Sequence, residues 1–234
     1  MPSLVVHVAL AGLVGAALLG EEFDRRSVAL VLLVPVIPDL DAFGGFLVPG
    51  THRALLHTLL IPLVAGTVLY VDTRRRERSW LAGRYGARGV HLAWVCVVVY
   101  AFAGIGLDLF TGGGANPFYP LHDQFYEISG RLQYSSTKGW VQTFVEVNLD
   151  PTPAEAASGS GGEGGGGRVV DAGQRGSTEK VHVNTGIDPS RGAEPDDVER
   201  IFPIAQSGWQ LLLVLTSGVV LAGKAVERRR SGRR

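Results

Sequence analysis

Two aspartates and two histidines interrupt the stretch Ile37 to Leu60, IPDLDAFGGFLVPGTHRALLHTLL, which is otherwise apolar enough to lie in a bilayer. Ionisable side chains at such depth are costly unless they are paired or bound to something, so Asp39, Asp41, His52 and His57 read as a site. Imidazoles mixed with carboxylates suit a borderline divalent metal such as zinc, manganese or iron. Spacing divides the roles. Asp39 and Asp41, two apart, point to opposite sides of a helix or a strand, so one can ligate a metal while the other bridges a second metal or orients a histidine. His52 and His57, five apart, diverge by about 140° on an ideal helix, so His52 is expected to contribute from a turn.

The elements that must position these groups follow from hydropathy. Over 234 residues the apolar side chains are bunched, and mean hydropathy is +0.18, which predicts an all-α multi-pass membrane protein. Five apolar runs reach roughly 17 to 23 residues, enough for a hydrocarbon core about 30 Å thick: Leu4–Gly20, Ser27–Val48, Ala54–Val71, Gly89–Phe110 and Ser207–Val226. The first lacks both a preceding basic residue and an A-x-A site, so it reads as a membrane helix and not as a signal peptide. Cys96, the single cysteine, sits in an apolar run and excludes a disulfide framework and a cysteine zinc site. Formal charge is zero, which gives no reason to expect nucleic acid. Gly-x-Ser-x-Gly, His-Glu-x-x-His and phosphate-loop patterns are missing, which leaves serine hydrolase, zincin and nucleotide-driven chemistries without support.

Basic residues orient the spans, because Lys and Arg beside helix ends prefer the cytoplasm. Arg25 and Arg26, the cluster Arg74 to Arg88, and the tail from Lys224 to Arg234 fall on one side if the N-terminus is outside and the C-terminus cytoplasmic. The segment Thr111 to Gln206, with thirteen acidic and seven basic residues, then faces outward. This gives three expected units: residues 1–128, four helices carrying the polar site; 129–206, an extracytoplasmic insertion; and 207–234, the fifth span and its basic tail. Within the insertion Trp140–Val147 and Lys180–Val183 are predicted as strands. Pro151–Thr178, rich in Gly, Ser and Glu, reads as a flexible linker, and Glu194–Arg200 as a short helix.

This topology gathers six imidazole or carboxylate groups in the outer leaflet: His7, Asp39, Asp41, His52, His57 (one to two turns into the third helix) and Asp108. Pro35 and Pro38 should break the second span beside the aspartates and free backbone groups that must line an enclosed or wet cavity. Plainer roles exist for single members. His7 suits an interfacial histidine, Asp108 a helix cap or a partner of Arg53, His91 the opposite interface, and Cys96 simple packing.

The same motifs, His7 in a small-residue helix, PDLD at Pro38–Asp41, HRALLHTL at His52–Leu59 and LDLFTGGGANPFYPL at Leu107–Leu121, resemble the integral-membrane metal-dependent hydrolase family. Its bacterial members are known as LexA-binding, inner-membrane-associated hydrolases. The resemblance covers about Met1 to Leu121 and implies hydrolysis without naming a substrate. Ala54 and Thr58 stand where the family has Gly and Ser, and Gly104 where it has a fourth histidine one turn before Asp108.

Together these readings predict a membrane-embedded hydrolase of a phosphoester or lipid-like substrate, with one or two divalent ions, zinc or manganese. His7, Asp39, His52, His57 and Asp108 are its expected ligands, Asp41 a bridging or orienting carboxylate and Arg53 a phosphate contact. A metal lowers the pKa of bound water toward neutrality, which is the chemistry such a site needs. The rivals are a non-enzymatic scaffold with a degenerate metal site, favoured by Gly104, and an ion or proton transporter, which would need acids spread across the membrane depth.

Overall fold

The polar motifs sit where helices stop, and prolines stop them. In the computed structural model, residues 3–46, 51–137, 139–144, 146–148, 169–171, 173–185, 187 and 200–231 are described. Helix α1 spans Leu4–Leu18 and starts on Ser3, whose hydroxyl accepts from the Val6 amide. Helix α2 (Arg25–Leu33) starts on Asp24, which accepts from the amides of Arg26 and Ser27. It ends before Pro35, since a proline supplies no amide and its ring clashes with the carbonyl four residues back. A short α3 (Val36–Asp39) and a 3-10 stretch, Leu40–Phe46, follow. They turn Asp39 and Asp41 off the regular helix.

Helix α4 runs Leu60–Tyr70 and continues as a π-helical turn, Val71–Arg75. The expected third span from Ala54 is therefore shorter, and His57 lies in the turn ahead of the helix, not one to two turns within it. Pro62 explains the start, because a proline fits the first helical turn but would clash with the Thr58 carbonyl in a helix begun at Ala54. Helix α5 covers Trp80–Val99, broken at Gly86 (φ 68°, ψ −171°), then widens into a π-helix, Tyr100–Gly106, and closes with α6, Leu107–Leu109. Helix α7 is Gly208–Ser231.

Among the described residues three stretches are long and apolar enough to cross a membrane: Arg25–Gly44, Trp80–Leu109 and Gly208–Ser231. α1 and α4 are apolar but shorter, at 15 and 11 residues. The bundle core joins Ala11, Leu19, Phe23, Val31, Val95, Val99 and Ile105 from α1, the α1–α2 connection, α2, α5 and the π-helix. Small residues let α1 lie close to its neighbours. A Cβ at Gly12 would stand 2.6 Å from the Ser217 hydroxyl of α7, and one at Gly15 2.9 Å from Val31. Ser3 also donates to the Ile204 carbonyl just before α7.

Between α6 and α7 the described residues form three antiparallel strand pairs. β1 (Phe125–Tyr126) pairs with β6 (Gln174–Gly176), β2 (Leu132–Ser135) with β3 (Gly139–Gln142), and β4 (Glu146–Asn148) with β5 (Val169–Asp171). The strand expected over Trp140–Val147 is thus divided between β3 and β4. Lys180–Val183 is not a strand. Lys180 and Val181 close a turn on the Ser177 carbonyl, and Val183 is buried with Ala54 and Phe125. Within the stretch expected as linker, β5, β6 and Thr178, which donates to Asp123, are placed elements. Residues 151–168 of that linker, and 194–199 of the expected short helix, lie outside the described residues.

Candidate metal centre

Five elements bring the site together. α1 supplies His7, α3 supplies Asp39, the 3-10 stretch after it Asp41, the turn before α4 His52, Arg53 and His57, and α6 Asp108. One ligand atom each from His7, Asp39 and Asp108 lie within 4.8 Å of one another. His57 Nε2 joins them, 3.0 Å from Asp108 Oδ2 and 3.5 Å from Asp39 Oδ1, and His7 Nε2 is 3.5 Å from Asp108 Oδ1. Side-chain exposure is 2% or less for His7, His57 and Asp108 but 25% for Asp39. Asp39 is therefore the member through which the cluster meets its surroundings.

A second ring fixes the first. His7 Nδ1 is 2.6 Å from the Ala103 carbonyl, which lies in the π-helix. A carbonyl only accepts, so Nδ1 carries the proton and Nε2 offers its lone pair. Asp41 lies 2.8 Å from His52 Nδ1 and 2.9 Å from His57 Nδ1, and its second oxygen also accepts from the Leu56 amide. The carboxylate thereby turns the Nε2 of His57 toward Asp39 and Asp108. His52 stands behind Asp41, with its ring edge-on to His57 at 5.8 Å, and is not among the converging three.

Arg53 is 2% exposed and holds the far side of Asp108, with Nη2 2.7 Å from Oδ1. Its Nη1 donates to the carbonyls of Gly112 and Gly114. The backbone at Arg53 has φ 61°, a left-handed value rare for a side chain of this size. Its carbonyl accepts from the Asn116 amide, which clamps this turn to the segment after α6. Gly114 is required there, because a Cβ would lie 2.2 Å from the Tyr126 carbonyl oxygen.

The donor set passes one test of fit to a cation. His57 Nε2 and Asp108 Oδ2 are buried without a hydrogen bond among the described residues, while Asp108 Oδ1 is ion-paired with Arg53. Their short mutual distances are off the line a hydrogen bond needs. Buried polar atoms are normally satisfied, and lone pairs converging on one point without bonding one another are arranged as ligands are. The donor set, two imidazole nitrogens and two carboxylates, fits a divalent cation.

A family model described as YdjM inner membrane protein matches residues 1–163, which hold every group named above. The chain belongs to the YdjM inner membrane protein family. Neither a curated protein nor a solved structure matches it. Membership places this YdjM-family chain in a membrane and agrees with the resemblance drawn from its motifs.

At its substituted positions this family member keeps the local chemistry in two cases and changes it in one. Thr58 donates to the Pro117 carbonyl as a serine could, and Ala54 is fully buried against Phe125. Gly104 differs. A Cβ there would stand 2.9 Å from the Pro38 ring, so proline packing fills the space through which a histidine would reach the site. His122 does not substitute for it, since its Nε2 bonds the Tyr126 hydroxyl. Sequence reasoning missed the Ala103 carbonyl and Tyr100, whose hydroxyl donates to the Leu56 carbonyl. A phenol inside an apolar span was a usable signal; a carbonyl has none.

Proposed function

We propose that this YdjM-family chain is a membrane-embedded, metal-dependent hydrolase acting on a phosphoester of a lipid-like substrate. The observation that carries the reading is the convergence of ligand-type atoms from His7, Asp39, His57 and Asp108 in one largely buried cluster. His7, Asp39, His57 and Asp108 would hold the cation. It would supply Lewis acidity and bring the pKa of a bound water toward neutrality. Asp41 holds the protons on the Nδ1 atoms of His52 and His57. Arg53 positions Asp108 and, with its guanidinium engaged there, is assigned to that role in preference to phosphate binding. Asp39 lies on the side open to a substrate.

In this reading α1 and α4 complete a five-span protein with the N-terminus and site outside and the basic C-terminus in the cytoplasm, following the arginine clusters. A non-enzymatic scaffold is the second reading, supported by Pro38 occupying the space beside Gly104. Elemental analysis of protein in lipid nanodiscs, with bis(p-nitrophenyl) phosphate as substrate, separates the two. The hydrolase reading expects bound zinc or manganese and turnover abolished in Asp39→Ala. Metal without turnover supports the scaffold, and failure to bind metal at all removes both.

A further inference from the structure

Next to the polar centre lies an apolar groove of about 270 Å³. Its walls include Leu59, Leu109, Pro117, Phe118, Ile128 and Phe144. Two of these belong to the strands of chain that carry the site: Leu109 follows Asp108 on α6, and Leu59 is two residues beyond His57. The wall is stitched by backbone. Leu59 donates to the Pro117 carbonyl at 2.8 Å, and Ile128 to the Leu109 carbonyl at 2.6 Å. The polar tip in the lining, the Tyr126 hydroxyl, is engaged by His122.

Water gains little in a space with so few partners. Around the groove the surface is oily: Phe110 is 62% exposed, Phe118 47% and Leu121 80%. Side chains of this kind, just beyond a span that ends at Leu109, suit the membrane interface. Its volume falls just under that of small-molecule pockets, about 300–1,000 Å³, which is room for a length of one chain and not for a whole lipid.

We propose that the groove receives an acyl chain of a bilayer phospholipid whose phosphate lies at the His7, Asp39 and Asp108 centre. This rests on the hydrolase reading and narrows its substrate to a phosphodiester carrying a hydrocarbon tail. A buried methylene strengthens binding about fourfold, so tail length is the quantity to vary.

The test uses full-length protein in nanodiscs of phosphatidylethanolamine and phosphatidylglycerol, loaded with zinc or manganese. Alkyl p-nitrophenyl phosphates of two to twelve carbons are compared with bis(p-nitrophenyl) phosphate, which has no tail. kcat/KM should climb with tail length, by up to about fourfold per carbon, then level off; Phe144→Trp should make it level off sooner. A flat series beside good cleavage of the tailless ester overturns the groove and leaves the hydrolase standing. If no ester is cleaved, the hydrolase reading falls, and the groove is judged by binding alone. For that, a phosphatidylglycerol with a diazirine on its acyl chain is photolysed in the same nanodiscs. Labelling of residues 117–128 and 144 that dodecyl phosphate competes away supports the groove. Labelling there no stronger than on Leu212 and Val219 of α7, or untouched by competition, overturns it.

Discussion

The two ends of the helical bundle treat charge in opposite ways. At one end His7, Arg53, His57 and Asp108 are almost fully buried, and several of their atoms are left without hydrogen bonds. At the other end Arg88 meets Asp24 and His91 meets Glu22 across the helix ends, with exposures of 54%, 39%, 43% and 25%. Asp72 belongs to that end as well, shielded but fully hydrogen-bonded. It accepts from the Ser79 hydroxyl and the amides of Trp80 and Leu81, and so caps the start of α5. Exposed pairs of this kind contribute at most about 1 kcal/mol and leave nothing unmatched when lost. Buried groups have no water to fall back on, so each must find its partner inside the cluster or in a bound ion. The contrast separates a site from ordinary capping more clearly than any one residue does.

The largest effect should come from Asp108. Asp108→Ala strips the centre of a ligand and leaves Arg53 as a buried unpaired charge, a loss of about 3–5 kcal/mol. Thermal unfolding in nanodiscs should show a markedly lower midpoint and elemental analysis no metal, while Asp108→Asn should keep more stability but still lose metal. An unchanged midpoint would collapse the distinction between the two ends. Chelation comes next: with metal at a hundred times its Kd, removal should cost about 2.7 kcal/mol, seen as a fall in midpoint that added zinc or manganese reverses. Asp41→Asn, which disturbs the orientation of His57, should weaken metal binding about 10–100-fold by titration calorimetry. Gly104→Ala, which pushes on Pro38, should destabilise by about 1–3 kcal/mol, and its denaturation midpoint checks this.

The smallest effect belongs to the opposite end. Hydrogen bonds from Ser79, Leu81 and Trp80 lower the Asp72 carboxyl from 3.8 to about 2. A lowered folded-state pKa adds stability that is complete above the ordinary value and disappears as pH falls from about 4 to about 2. Asp72→Asn should therefore unfold at a slightly lower temperature than the unmodified protein at pH 6, the two converging toward pH 2, with metal content the same. A change in metal content would show that the ends are coupled.

Much of the site could be read from residue types, because an ionisable letter in an oily run is conspicuous. His7, Asp39, His57 and Asp108, which the fold brings together, stand out that way, and Pro35 and Pro38 foretold the break that frees the aspartates. Side-chain direction could not be read. Whether His52 ligates or stands behind Asp41 depends on the path of residues 51–57, which is set by the left-handed turn at Arg53 and the clamp to Asn116. The onset of α4 was misjudged because hydropathy continues smoothly through Ala54 to Leu59, although Pro62 marked the true start. The space beside Gly104 was likewise invisible, since only packing shows that the Pro38 ring fills it.

The contact between Gly12 of α1 and Ser217 of α7 has a bearing on biogenesis. α7 lies beyond residue 163, where the family match stops, so the helix that carries His7 leans on a late-made partner. At roughly 5–20 residues per second, translation reaches α7 on the order of ten seconds or more after α1 emerges. Until then the Gly12 side of α1 is left to lipid, and a nascent chain truncated before Gly208 would hold its first histidine by the Ala103 carbonyl and α2 alone, without the helix packed behind it.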